Sequence, residues 1–366
     1  GVNRGVSFFE SENRLITPRG LELLAMPRKA NLLGLLQNRL LIRVAEPWAV
    51  NGSSFTAGAL LSLDIAAVMT DPEHLKPTAI FVPGPRETFD GSVATRDRLV
   101  VTTYENVRGR AFIYTPEADG GWSRRSLDLP DNSSLYLVAA DDRSSDAYLA
   151  VTGFLVPTTL LHLDADAGTT AVIKAIAPRF DAAALIVEQL EATSKDGTKI
   201  PYFVVRPKNL QYNGAAPTIL YAYGGFEISM TPSYNGTTGK LWLERGGVYV
   251  LANIRGGGEL GPAWHEAGLK TNRQRIYDDF AAVAQDLIAR RITSPRRLGI
   301  EGGSNGGLLM GVEFTQHPEL WHAVDIQVPL LDMLRFEQIQ AGASWVGEYG
   351  SVSVPQERAF LASISP

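Results

Sequence analysis

The sequence has no cysteine. That excludes a disulfide framework, thiolate catalysis and a cysteine metal site, and no metal or other cofactor is expected. Histidine is scarce, with five in 366 residues, so any imidazole chemistry has few candidates. Neither sign of charge dominates: the formal net charge is -5, whereas a nucleic-acid or anionic-membrane surface would normally show a basic excess. Long hydrophobic runs are also missing. The longest apolar stretch, Ala57 to Met69, is broken by Asp64 and is too short to span a bilayer. The chain opens on Gly1, with no charged-then-apolar leader; either a start has been removed or this is an internal piece. Cytoplasmic residence is the expectation, with the periplasm as the alternative. What is present is ordinary globular material, 45% hydrophobic and 20% charged, in a length that allows two cores.

The two halves have different grammar. Up to about Pro178 the chain reads as short strands, among them "RLLIRVA" (39–45), "RLVVTTY" (98–104), "GRAFIYT" (109–115) and "AYLAVTG" (147–153). Turn clusters such as "NGSS", "PDNSS" and "DADAG" separate them. "LVVTTYENVRGRAFIY" from Leu99 aligns at an offset of 49 with "YLAVTGFLVPTTLLHL" from Tyr148. A period of about 50 with several strands per unit fits propeller blades; a β-sandwich with accidental similarity is the plainer alternative. A closed propeller needs more blades than residues 1–178 supply. After Pro178, a hairpin signal at Lys195-Asp196-Gly197 is followed by apolar runs alternating with helical segments. These runs are "TILYAY" (218–223), "VYVLANI" (248–254), "RLGIEGG" (297–303) and "AVDIQVP" (323–329). Between two of them Ile276, Phe280, Val283, Ala284, Leu287 and Ile288 recur at helical spacing. The expectation for 179–366 is an α/β domain on a mostly parallel open sheet.

The segment "EGGSNGGLLMG" (301–311) places Ser304 in a G-x-S-x-G pattern. Alone, such a pattern can be a glycine-rich turn. Here a strand precedes it and "NGGLLMGVEFTQH" can run as a helix to Pro318, which is the strand-turn-helix order a nucleophile elbow needs. Glycines must flank the serine because strand and helix cross too tightly for side chains. The backbone N–H of Asn305 would then face the developing oxyanion from the helix N-terminus. The second donor in such hydrolases comes from a loop after an earlier strand. That loop here carries "YAYGGF", and Tyr223 could offer its hydroxyl; its plainer role is an aromatic closing the top of a strand. The glycine run "IRGGGELG" (254–261) lacks the Lys-Ser/Thr ending of a P-loop and the spacing of a dinucleotide fingerprint, so a structural turn is expected.

Taken together, these residues resemble the prolyl oligopeptidases, serine peptidases of the α/β-hydrolase type with an N-terminal β-propeller. The resemblance rests on "SKDGTKIPYFVV", "YAYGGFEISMTPSY", "ANIRGGGELGPAWHEAGL", "YDDFAAVAQDLI", "TSPRRLGIEGGSNGGLLMG" and "PLLDMLRF…AGASWVGEYG", which come in the family's order and cover nearly all of 180–366. Ala222 stands where the family more often has glycine. The resemblance implies that residues 1–178 are the last blades of a propeller acting as a size filter. It also implies that Ser304 is the acyl-forming nucleophile, with Asn305 and Tyr223 as oxyanion donors. Trp345 would stack on the substrate's proline ring, with Phe226, Leu330 and Tyr349 as other walls of that pocket. Aromatic faces suit a flat, apolar ring.

Ser-His-Asp chemistry also needs a base, in the order serine, acid, histidine. His74 and His162 lie in the β half, and His265 precedes the serine. His317 falls at the end of the elbow helix, about 20 Å from its start by helix rise, where a capping role is expected. His322 precedes Asp325 and Asp332, the wrong order. The chain is therefore expected to be a fragment truncated before the triad Asp and His, inactive by itself; a naturally dead hydrolase is the competing explanation. The expected function is cleavage of short proline-containing peptides by a monomer, after proline, with no nucleic-acid or membrane partner. An acyl-aminoacyl peptidase or esterase of the same fold, and a non-catalytic propeller-bearing binding protein, are the alternatives.

Overall fold

The strand-rich half resolves into four-stranded sheets in the computed structural model, which describes residues 1–366. The first contains Ala30–Leu36, Arg39–Val44, Leu60–Asp64 and Thr78–Phe81. The second contains Glu87–Ala94, Leu99–Glu105, Arg108–Pro116 and Trp122–Ser126. The third contains Ser133–Ala140, Asp146–Gly153, Thr159–Asp164 and Thr169–Ala175. A three-stranded sheet (Val2–Gly5, Ser11–Thr17, Gly20–Leu23) precedes them. Strands follow one another as antiparallel meanders, the build of propeller blades. The internal repeat has a structural meaning. Leu99 and Tyr148 both lie on second strands of their sheets, and the 49-residue offset carries each third strand onto the next.

Blade stacking explains why Leu99–Glu105 shows so little polar alternation. Leu99 and Val101 pack with Leu41, Leu60 and Phe81 of the first sheet. Val100 turns the other way and packs with Ala147, Leu149 and Leu163 of the third. A strand buried on both faces reads as a continuous apolar run.

The second unit comprises Gly153–Pro157, Ala177–Glu259 and Ala263–Pro366; the first takes Gly1–Thr152, Thr158–Ile176 and Leu260–Pro262. Its sheet has six strands: β1 (Leu185–Thr193), β2 (Lys199–Pro207), β3 (Thr218–Tyr221), β4 (Val248–Ala252), β5 (Leu298–Gly303) and β6 (Ala323–Gln327). Their order is β1-β2-β4-β3-β5-β6. The β1-β2 hairpin is antiparallel, as is its junction with β4, and the remaining pairs are parallel. Gly197 turns that hairpin at φ 88°. The apolar spacing near 280 is a helix, α1 (Gln274–Ala289), which buries Ile276, Phe280, Val283, Ala284 and Leu287. Strand β3 stops at Tyr221, short of the apolar run's end, because Gly224 at φ 64° turns the chain into a loop.

Parallel register sets the site. Tyr221 pairs with Glu301 and Glu301 with Asp325, so the loops after β3, β5 and β6 leave the same sheet edge side by side. Strand β5 passes directly into helix α2 (Asn305–Gln316) through Ser304. The crossing is close: a Cβ on Gly302 would sit 2.5 Å from the Gly306 carbonyl oxygen, whereas one on Gly303 would meet nothing nearer than 3.7 Å. Gly302→Ala should therefore cost about 1–3 kcal/mol in chemical denaturation, as overpacking does. Gly303→Ala, the matched control, should change stability by about 0.5 kcal/mol or less.

Candidate active site

Ser304 has φ 57° and ψ −117°, a conformation costing about 1–3 kcal/mol that persists only where its surroundings enforce it. The enforcement is visible on both sides. Its N–H donates to the Gln327 carbonyl at 3.0 Å, and its carbonyl accepts from Leu308 N–H at 3.1 Å. The result is an exposed serine side chain standing between a sheet edge and a helix start. Asn305 takes the first helical position, where a backbone N–H has no acceptor within the helix. Tyr223 shares a hydrogen bond with Ser304. Burial pushes the Tyr223 phenol above its ordinary pKa, and the Ser304 bond offsets this only in part. The phenol thus stays protonated near neutrality, the form that can donate to an oxyanion. The structure brings Ser304, Asn305 and Tyr223 to the same sheet edge.

The side chain of Asn305 has a role that sequence reasoning missed. It is 1% exposed. Its Nδ2 donates to the Tyr223 carbonyl at 2.6 Å, and its Oδ1 accepts from Tyr349 Oη at 3.0 Å and from Arg273 Nη2. Arg273, itself 1% exposed, also donates from Nη1 to Glu348 Oε1 at 2.8 Å and from Nη2 to the Gly224 carbonyl at 3.4 Å. The opposite oxygen of Glu348 meets His265 Nε2 at 2.7 Å. The guanidinium lies 4.6 Å from the centre of the Tyr349 ring, a favourable cation–π placement. Burial alone would raise the Glu348 pKa, but the His265 hydrogen bond and the Arg273 charge bring it below the ordinary carboxylate value. In the sequence Arg273 sits in "LKTNRQR" with two other basic residues, Lys270 and Arg275, and nothing there distinguishes it.

The expected pocket residues separate. Phe226 meets the Trp345 ring edge-on at 6.3 Å and the Tyr349 ring at 5.6 Å. Trp345 is half-buried, on the first of two short helical turns, Gly342–Trp345 and Val346–Tyr349. Tyr349 is 1% exposed and spends its hydroxyl on Asn305. It stands behind Phe226, so as a wall it acts through that ring. Leu330 is half-buried against the same core as Phe226 and Trp345.

None of the five histidines is hydrogen-bonded to Ser304. His265 is in the buried pair with Glu348. His317 is the C-cap of α2, its N–H on the Glu313 carbonyl at 2.9 Å, as expected ahead of Pro318. His322 is exposed, with its N–H on the Leu298 carbonyl. In the blades, His74 pairs with Asp71 at 3.0 Å and His162 with Asp146 at 2.6 Å. The "RGGGELG" run is structural, as expected: a Cβ on Gly256 would lie 2.6 Å from the Gly224 carbonyl oxygen, and one on Gly258 2.3 Å from that of Glu227.

Comparison with known proteins agrees with this geometry. The model of the prolyl oligopeptidase family matches residues 232–366, and that of its N-terminal β-propeller domain matches 49–176. The chain belongs to the prolyl oligopeptidase family. It is 49% identical over 371 residues to an uncharacterized peptidase of Sinorhizobium fredii, covering 99% of this chain and 51% of that one. A prolyl endopeptidase of Elizabethkingia meningoseptica is 36% identical over 243 residues, covering 66% of this chain and 34% of that one. The solved structure of a post-proline cleaving enzyme from Rickettsia typhi superposes with a TM-score of 0.92 at 34% identity, over 100% of this chain and 53% of that one. The chain thus spans about half the length of the relatives it matches end to end.

Replacing Glu348 by alanine would leave the Arg273 charge buried without its counterion. The expected cost is about 3–5 kcal/mol, measured by urea denaturation. Because the folded pKa of Glu348 is lowered, its contribution is present at neutral pH and is lost as pH falls through the carboxylate range. The acid limb of the stability profile should flatten in Glu348→Ala.

Proposed function

We propose that the intact protein is a serine peptidase that cleaves short peptides on the carboxyl side of proline, through an acyl-enzyme on Ser304. The observation that carries this reading is the strained, exposed Ser304, hydrogen-bonded to Tyr223 and followed by the free first N–H of α2. Ser304 Oγ would attack the scissile carbonyl carbon. The negative charge passing to the carbonyl oxygen would be met by Tyr223 Oη–H and Asn305 N–H. Collapse breaks the C–N bond, the amine leaves with a proton, and water then hydrolyses the ester. The proton must pass through a base. Each of the five histidines is placed elsewhere, so we assign the base to a segment outside these 366 residues. Proline preference is supported by the edge-on Phe226 and Trp345 pair and by relatives described as prolyl endopeptidases or post-proline cleaving enzymes.

A fluorophosphonate probe applied to the intact protein should label Ser304, and Ser304→Ala should abolish the adduct. An unlabelled Ser304 in the folded, intact protein would sink the peptidase reading in favour of a binding role. Specificity is tested separately. Trp345→Ala should lower kcat/KM about tenfold or more for a substrate with proline before the scissile bond, and less for its alanine counterpart. An equal loss on both would remove the proline assignment while leaving the hydrolase.

A further inference from the structure

The glycine run that the chemistry does not use ends in Glu259, a carboxyl 1% exposed. Its Oε1 accepts from Met230 N–H at 2.9 Å. Across from it, Asn253 Nδ2 donates to the Met230 carbonyl at 2.6 Å. Two side chains from the segment 253–259 therefore grip both polar groups of one residue in the loop that follows Phe226. The remaining atoms of this grip pose a problem. Glu259 Oε2 and Asn253 Oδ1 are both buried without a donor, although both side chains close on the same residue, Met230. Turning the amide over would set its oxygen against the Met230 carbonyl, so a flip creates a second conflict.

One proton removes both deficits. We propose that Glu259 is a neutral carboxylic acid whose Oε2–H donates to Asn253 Oδ1, and that it positions the 226–231 loop, and with it the Phe226 ring, on the parallel sheet. The glycines fit this arrangement. A Cβ on Gly257 would lie 2.1 Å from Glu259 Oε2, and Gly258 leaves room for the Glu227 carbonyl. The charged residues flanking the carboxyl are Arg255 and Glu227. The Arg255 guanidinium is occupied by Asp279 at 2.6 Å and Asp196 at 2.6 Å, and Glu227 packs here through its backbone. Burial is accordingly the largest influence on Glu259 and pushes it up to about 8, with the backbone N–H groups of Met230 and of Glu259 itself acting the other way. The latch stands on geometry alone; its link to a proline pocket rests on the proposed function.

Glu259→Gln tests it directly, because an amide reproduces the protonated acid: Nε2–H to Asn253 and Oε1 to Met230 N–H. In the folded state the proton is held to about pH 8, while the unfolded chain releases it in the ordinary carboxylate range. The wild-type protein should therefore lose stability as pH rises between these limits, and Glu259→Gln should remove that part of the slope. By hydrogen exchange, the protection factor of the Met230 amide should fall at least tenfold between pH 7 and pH 9 in the wild type and hold in Glu259→Gln. Glu259→Ala should lose that protection at every pH. A Glu259→Gln protein that keeps the wild-type slope, or loses Met230 protection at pH 7, overturns the proposal. Loss of Ser304 labelling with Met230 protection intact would sink the peptidase reading and leave the latch standing; the reverse would sink the latch alone.

Discussion

The buried guanidinium of Arg273 is the constraint on which the catalytic edge depends. Three segments far apart in sequence meet at it: the Tyr223–Gly225 loop through the Gly224 carbonyl, the elbow through Asn305 Oδ1, and the 345–349 turn through Glu348, which in turn holds His265. No apolar side chain could do this. Each contact is to a polar group that burial would otherwise leave unpaired, and a planar fork of donors can serve several at fixed angles. Removal of one partner leaves the others exposed to the same desolvation cost, so the cluster holds or fails as a unit. Its consequence for chemistry is indirect. Asn305 offers its backbone to the oxyanion only if its helix starts in the right place, and its side chain is fixed at three points to ensure that.

A second charge cluster grips helix α1, whose N-cap residue is Arg273. Asp279, midway along α1, accepts from Arg255 Nε at 2.9 Å, Arg255 Nη2 at 2.6 Å and Ser194 Oγ at 2.5 Å. Arg255 reaches on to Asp196 in the β1-β2 turn. Helix α1 is thus clamped by Arg273 at its N-terminal boundary and by Asp279 within it, while its apolar face fills the core between. Such clusters are weak evidence for net stability. What they do here is geometric: they fix the hairpin, the glycine run and the elbow to one helix.

Residue periodicity and turn chemistry made the elements legible. The apolar runs from 218, 248, 297 and 323 each became a parallel strand, and Ser304 could be placed at a strand-to-helix turn because flanking glycines have a steric meaning readable without coordinates. The blade repeat was readable because the second and third strands of two blades recur at one fixed offset. What stayed hidden was the identity of long-range polar partners. Arg273 and Glu348 are 75 positions apart, and no local pattern pairs one arginine among several with one glutamate among many. The Asn305 side chain was hidden by its own backbone role, which sufficed to explain it. The burial of Tyr349 follows from a ring that covers a cation and a hydroxyl that meets an amide, neither of which an aromatic residue announces.

The two buried carboxyls near the site show why burial alone does not decide ionisation. Glu348 and Glu259 are 0% and 1% exposed, and in both desolvation is the largest influence. Glu348 faces the Arg273 cation and an imidazole, and falls below the ordinary value; Glu259 faces an amide and a backbone N–H, and rises to about 8. The difference is one formal charge within hydrogen-bonding distance, and it reverses the sign of the linkage to pH. Stabilisation from Glu348 fades as pH falls, and stabilisation from Glu259 fades as pH rises. The loop after β3 lies between them, tied at Gly224 to the first system and at Met230 to the second. Tyr223 and Phe226, which we assign to oxyanion and substrate, are therefore both held best in a window bounded on each side by the proton occupancy of one buried acid.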